Sequence, residues 1–257
     1  MTMKKPQYFQ KYGFLISKKT LKVESLKNLR SSIFDLLQNF IANDETIDKK
    51  LLELPEDQLI ISFRKRFPTQ FGVFYDILQT SGFCMAFCTS KNILEFVGSI
   101  LDTNANNLAW AGMLLRIDVP HDKRNTINWH QDHTYLPFGG TCGKSLVLII
   151  PLQDTYSSMG AVNIIPESHK HGVKQYLKAN ESKSLSSEQK TVEVSEVEKV
   201  KSIVPELMLG DVLLMDMNLL HASGFNISDR VRFSLLIRFF DNIDPAFKRF
   251  KTTHALI

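Results

Sequence analysis

Residues 129–133 read WHQDH, an imidazole, a carboxylate and a second imidazole crowded beside an indole. Polar groups packed this densely are costly to bury without partners. On an extended strand, residues i and i+2 face the same side. His130 and Asp132 would then project together, and Gln131 and His133 the other way. One imidazole and one carboxylate make two thirds of a common iron site, and His221, at the end of the apolar run DVLLMDMNLL, is the candidate for the third ligand. Two histidines and a carboxylate on one face of an ion leave positions open for oxygen and substrate, which suits non-haem Fe(II). Neither ligand type is oxidised as a thiolate would be. The pattern alone is weak, because a chain with seven histidines will often supply one, and a metal-free core or surface histidine is the plain alternative for His130.

Arg232 strengthens it. It lies eleven residues after His221, in VRFSLLIRF, where a strand following a turn can return beside the metal histidine. A dicarboxylate that chelates iron through a keto-acid end needs a cation for its far carboxylate, and arginine supplies a fork of paired donors. Arg238, six residues on and on the same face by parity, ranks second. Arg116, in LLRID, could reach a co-substrate or substrate anion, against the plainer reading of a surface ion pair. His133 reads as a pocket-lining or surface residue, Trp129 as packing, Asp211 as the residue fixing a Gly-Asp turn, and His169 and His171 as solvated.

The elements that must position these groups fall into two textures. Through residue 107 the chain reads as mainly helical: Leu26, Leu29, Ile33, Leu36, Leu37 and Phe40 recur at helical spacing. Ile93, Leu94, Val97 and Leu101 do the same behind a candidate Ser90 cap. From 108 to 245, short apolar runs separated by Gly, Pro, Asn and Asp predict strands of a sandwich or double-sheet barrel. Residues 173–202, rich in Lys, Glu and Ser, read as an exposed, mobile insertion. The whole of 1–257 reads as one domain.

Composition is that of an ordinary globular chain, 44% hydrophobic and 23% charged. A net charge of +4, without a basic stripe interleaved with aromatics, gives no sign of a nucleic-acid partner. Three cysteines without framework spacing argue for a reducing compartment, and Cys84 and Cys88 read as a buried pair. No run approaches the roughly 18 apolar residues of a membrane span. The expectation is a cytoplasmic monomer or weak homo-oligomer without membrane partners.

Four segments resemble the phytanoyl-CoA dioxygenase family of Fe(II)- and 2-oxoglutarate-dependent oxygenases: WHQD at 129–132, PLQDTYSSMGAVNIIPESHKHG at 151–172, GDVLLMD at 210–216, and HASGFNISDRVRFSLLIRF at 221–239. The resemblance implies a double-stranded β-helix (jelly-roll) core with N-terminal helices packed on one sheet. It implies Fe(II) held by His130, Asp132 and His221, and Arg232 anchoring the distal carboxylate of 2-oxoglutarate. Ser223 and Gln131 match positions lining the cofactor or substrate pocket. Many relatives carry Trp on the strand after the H-x-D, where this chain has SLVLII with Leu148. The implied activity is a dioxygenase that uses O2 and 2-oxoglutarate to hydroxylate an unactivated C–H bond of a small-molecule substrate. Asp132 argues against halogenation, which needs that ligand position vacant; desaturation and epoxidation stay open. The rivals are a catalytically silent jelly-roll binding protein and a cupin-like metalloenzyme without 2-oxoglutarate, and Arg232 is the feature that separates the latter.

Overall fold

The runs SLVLIIP, VLLMD and RFSLLIRFFD lack the apolar–polar alternation of a half-buried strand, and a computed structural model shows why. It describes residues 3–135, 143–178 and 190–245. These runs form β3 (Ser145–Pro151), β7 (Val212–Asp216) and β9 (Arg232–Asp241) of one antiparallel sheet. With β1 (Phe14–Ser17) and β2 (Leu108–Asp118) the strand order is β1-β7-β3-β9-β2. Both faces of the central strands are covered, so both must be apolar.

The outer face carries Leu146, Leu148, Ile150, Leu214, Phe233, Leu235 and Ile237, packed against the helices. Those helices are α1 (Lys5–Tyr12), α2 (Val23–Asn43), α3 (Glu56–Arg66), α4 (Pro68–Gln79), α5 (Gly82–Cys88) and α6 (Lys91–Leu101). In α2, Leu26, Leu29, Ile33, Leu37 and Ile41 recur every three or four residues and are buried. Phe34 of α2 meets Phe233 of β9 with ring centroids 5.6 Å apart. Cys84 and Cys88 are free thiols buried in this layer, and burial pushes the Cys88 thiol up to about 12. Ser90 occupies the N-cap position of α6, but its side chain makes no capping bond; its backbone carbonyl accepts from Ile93 and Leu94 instead.

The inner face turns Val147, Ile149, Leu213, Met215 and Leu236 toward Ile164, Leu207, Met217 and Leu219. Opposite lies a smaller sheet of β4 (Asn163–Ile164) and β8 (His221–Ala222). It is widened by bridges from His130 to His221 and from Ile203 to Ile164. The two layers form the double-stranded β-helix. Asp211 does fix its turn, accepting from the backbone N–H groups of Met208 and Lys19 and from Lys18 Nζ. Gly210, at φ +100°, supplies the left-handed residue the turn requires.

The insertion is better built than its composition suggests. β5 (Tyr176–Lys178) pairs with β6 (Lys190–Val192), and α7 (Glu196–Val200) starts with a Ser195–Glu198 capping box. Val192 and Val194 are buried with Ile165 and Leu220, and Trp129 packs beside them as expected. Residues 179–189, the middle of the expected mobile stretch, lie outside the described residues. Among the described residues, no single helix is long and apolar enough to cross a membrane.

Candidate active site

His130 and His221 face each other as a two-bond backbone pair: His130 N–H donates to His221 O at 2.9 Å, and His221 N–H to His130 O at 3.1 Å. Their ring centroids stand 4.1 Å apart. Each Nδ1 lies against a carbonyl, Asn128 O at 2.8 Å and Leu219 O at 2.9 Å. A carbonyl only accepts, so each Nδ1 carries a proton, and in the neutral imidazole Nε2 is then the atom that offers a lone pair. Burial, followed by the neighbouring His221, pushes the His130 imidazole down to about 3, so it is neutral near pH 7.

Asp132 reaches this pair by a different route from the strand parity of the sequence reading. It begins a 3-10 turn, Asp132–Tyr135, and the turn, not a pleat, brings its carboxylate round. Ligand atoms of His130, Asp132 and His221 all lie within 4.8 Å of one another, and all three residues are buried. Asp132 Oδ1 accepts from Arg238 Nε at 3.0 Å and from Arg238 Nη2. Among the described residues Asp132 Oδ2 has no hydrogen-bond partner, and His221 Nε2 is 3.4 Å away. Burial alone would raise this carboxyl, but Arg238 foremost, then His221, hold it well below the usual range. The orphaned oxygen and the two imidazole Nε2 atoms form a donor set of the type that binds Fe(II).

Arg238 therefore has a partner other than a co-substrate, while Arg232 stands at the opposite end of the same strand face. Arg232 Nη2 donates to Asp118 Oδ2 at 2.6 Å, and its Nε is buried without a partner among the described residues. Asp118 Oδ1 accepts from Arg116 Nη2 at 2.9 Å, and Arg116 Nη1 donates to Ser223 Oγ at 3.0 Å. Arg116 is thus in a buried ion pair beside Ser223, not on the surface. The register Asp118↔Arg232 and Arg116↔Ser234 between β2 and β9 builds this row. Burial works against the Asp118 carboxylate, but Arg116 and then Arg232 hold it below its ordinary value.

The loop from His221 to Arg232 explains the motif H-x-S-x-x-N-x-S-x-x-x-R. Asn226 Nδ2 donates to Asp118 O and Arg230 O, and its Oδ1 accepts from Ser228. Gly224 passes so close to the 160–161 backbone that a Cβ would sit 2.6 Å from Ala161 O.

A cavity of about 270 Å³ opens onto His130, His221, Arg116, Ser223, Arg232 and Arg238. Its wall also holds Tyr75, Arg124 and Asn125, which the sequence reading did not single out, along with Met113, Leu114, Ile127, Ile149 and Val162. Burial pushes the Tyr75 phenol up to about 12. Gln131 is not among the lining residues. Its amide donates to Gly172 O and Asn218 O, and its Oε1 accepts from Lys174 N–H, so it ties the motif to the scaffold. Leu148 faces the helices; its neighbour Ile149 takes the wall position. His133 is half-buried near Asp216. His169 is half-buried and its Nε2 lies 3.0 Å from Gln10 O, a contact to the last turn of α1.

No curated protein matches this chain. Solved structures do. EvdO2 from Micromonospora carbonacea var. aurantiaca, complexed with 2-oxoglutarate, is 16% identical with a TM-score of 0.64, covering 98% of this chain and 95% of its own. The non-heme monooxygenase ThoJ is 19% identical with a TM-score of 0.63, covering 99% and 86%. The epimerase SnoN, in complex with Fe3+, alpha ketoglutarate and nogalamycin RO, is 14% identical with a TM-score of 0.60, covering 92% and 82%. The profile Phytanoyl-CoA dioxygenase (PhyH) matches residues 9–234, nearly the whole of the helical layer and jelly-roll just described, and the chain belongs to the phytanoyl-CoA dioxygenase family.

Proposed function

We propose that this chain is an Fe(II)- and 2-oxoglutarate-dependent oxygenase that hydroxylates a C–H bond of a small molecule, with His130, Asp132 and His221 as iron ligands. The observation that carries the reading is the donor set: two histidines whose Nδ1 atoms are fixed on carbonyls, beside a buried carboxylate oxygen with no partner. Iron and 2-oxoglutarate, when bound, would supply the oxidising chemistry with O2 as co-reactant.

The chain's own residues supply position. The carbonyls of Asn128 and Leu219 fix both imidazole tautomers and ring planes. Arg238 holds one oxygen of Asp132 and leaves the other for the metal. Arg232 is the anchor for the distal carboxylate, because its orphaned Nε is a buried donor on the cavity wall and a guanidinium can present two donors to one carboxylate. Ser223 and Arg116 brace that end of the pocket. Apolar side chains such as Ile149, Val162 and Leu236 limit water in the cavity.

The test is metal and co-substrate binding together with turnover. One Fe(II) per chain is expected, with loss of metal in His130→Ala and His221→Ala. Arg232→Ala should keep the metal and weaken 2-oxoglutarate about 30-fold or more, since truncating one partner of a buried charge pair costs about 2–5 kcal/mol. Full iron occupancy in both histidine variants would overturn the ligand set. Succinate release coupled to a product heavier by one oxygen, with a new alcohol at a formerly saturated carbon, would identify the reaction as hydroxylation.

A further inference from the structure

We propose that Arg124 forms a second anion subsite in the cavity and that the substrate is an organic acid, an apolar body carrying a carboxylate or phosphate. The inference rests on the reading of the site given above. Of the four guanidinium groups on the cavity wall, Arg238 pairs with Asp132, and the other three, Arg116, Arg124 and Arg232, have one carboxylate among them, Asp118, which pairs with Arg116 and Arg232. With the distal carboxylate of 2-oxoglutarate on Arg232, one positive charge stays uncompensated, and it is on Arg124.

The surroundings of Arg124 hold it in place without neutralising it. Asp122, two residues before it, gives one oxygen to the Arg124 backbone N–H and the other to Arg64 Nε at 2.6 Å. Among the described residues Arg124 makes no ion pair, and its Nη1 is buried with no hydrogen-bond partner. The guanidinium lies 4.4 Å from the ring centroid of Tyr75 and 5.6 Å from that of Phe71. Stacking on ring faces orients a guanidinium while leaving its in-plane N–H groups available. A buried donor without a partner is a standing cost to the fold, and an incoming anion removes it. The neighbouring wall, Met113, Leu114, Ile127 and Val162, offers apolar contact to the rest of such a molecule. A charge-assisted contact at a shielded site separates an acid from its uncharged isostere by about tenfold or more.

Calorimetry on the Mn(II)-loaded protein tests this with hexanoate, hexyl phosphate and hexanamide as probes. 2-Oxoglutarate is titrated first, on its own. Failure at that step refutes the reading of the site, and the probe comparison is then run without it. In the wild type, hexanoate or hexyl phosphate should bind at least about tenfold tighter than hexanamide. Arg124→Met, which keeps apolar contact with Tyr75, should bring all three within about threefold and leave the affinity for 2-oxoglutarate unchanged. Arg124→Lys, which keeps the charge without the planar fork, should retain part of the preference, and it serves if the Met variant does not fold. Equal binding of acid and amide by the wild type, binding of none of the three, or a preference that survives Arg124→Met overturns the proposal. So does an Arg124→Met variant that loses 2-oxoglutarate.

Discussion

Arg238→Met tests the reading of Asp132 most directly. Asp132 is 0% exposed and receives both of its guanidinium hydrogen bonds on one oxygen, from an arginine that is 16% exposed. Breaking a buried ion pair from one side costs about 3–5 kcal/mol, because the remaining charge is left without compensation. The partial exposure of Arg238 places this pair at the low end, about 3 kcal/mol. For a chain of this size each kcal/mol moves the melting temperature by about 2–4 °C, so the metal-free variant should melt roughly 6–12 °C below the wild type. A divalent ion at the proposed site faces the same carboxylate and restores the missing positive charge. The difference between variant and wild type should therefore shrink to less than half in saturating Mn(II). Thermal melts with and without Mn(II) measure both quantities. The double variant Asp132→Asn/Arg238→Met should recover much of the loss seen in Arg238→Met, since no buried charge is then left without compensation. A deficit below about 2 °C, or one that Mn(II) does not change, would refute the account of Arg238 as the group that holds Asp132.

Gly224→Ala should cost about 2 kcal/mol, because the new Cβ meets backbone atoms at 2.6–2.9 Å that cannot rotate away; an alanine variant as stable in denaturant melts as the wild type would count against the close approach. Asp118 is held below its unfolded value near 3.9, so its contribution is fully present above that value and is lost as pH falls through the lower folded one. Melting temperature from pH 7 to pH 3 should accordingly fall more steeply below about pH 4 in the wild type than in Asp118→Asn, which starts lower because Arg116 and Arg232 lose their shared partner.

Much of this was legible in the sequence, for physical reasons that differ by residue. The helix faces of α2 and α6 follow from a period of 3.6 and needed no tertiary information. His221 and Arg232 could be linked because the residues between them carry their own turn chemistry in Asn226 and Ser228. Asp132 was found by composition, but the strand parity used to place it was the wrong geometry, since a local 3-10 turn gives no alternating signal. Gln131 was misjudged because its partners, Gly172, Lys174 and Asn218, are more than forty residues away. β1 was missed because four residues between two helices give too short a pattern; it becomes a strand by adding to the edge of β7. Tyr75 and Arg124 escaped because α4 meets the end of β2 only in the folded chain.

The backbone pairing of His130 with His221 bears on which ion the protein would carry. Two of the three proposed ligands are spaced by sheet geometry, so they need no ion to bring them together, and binding would involve little reorganisation. A site already formed in the apoprotein has little conformational means of rejecting one divalent ion in favour of another. Selection then falls to ligand type and to supply. For a nitrogen and oxygen donor set, intrinsic affinity rises from Mn(II) and Fe(II) through Co(II) and Ni(II) to Cu(II). Protein purified on a nickel resin or in zinc-containing buffer should therefore carry those ions ahead of iron, and its activity would reflect the history of the preparation unless the metal is stripped and replaced first.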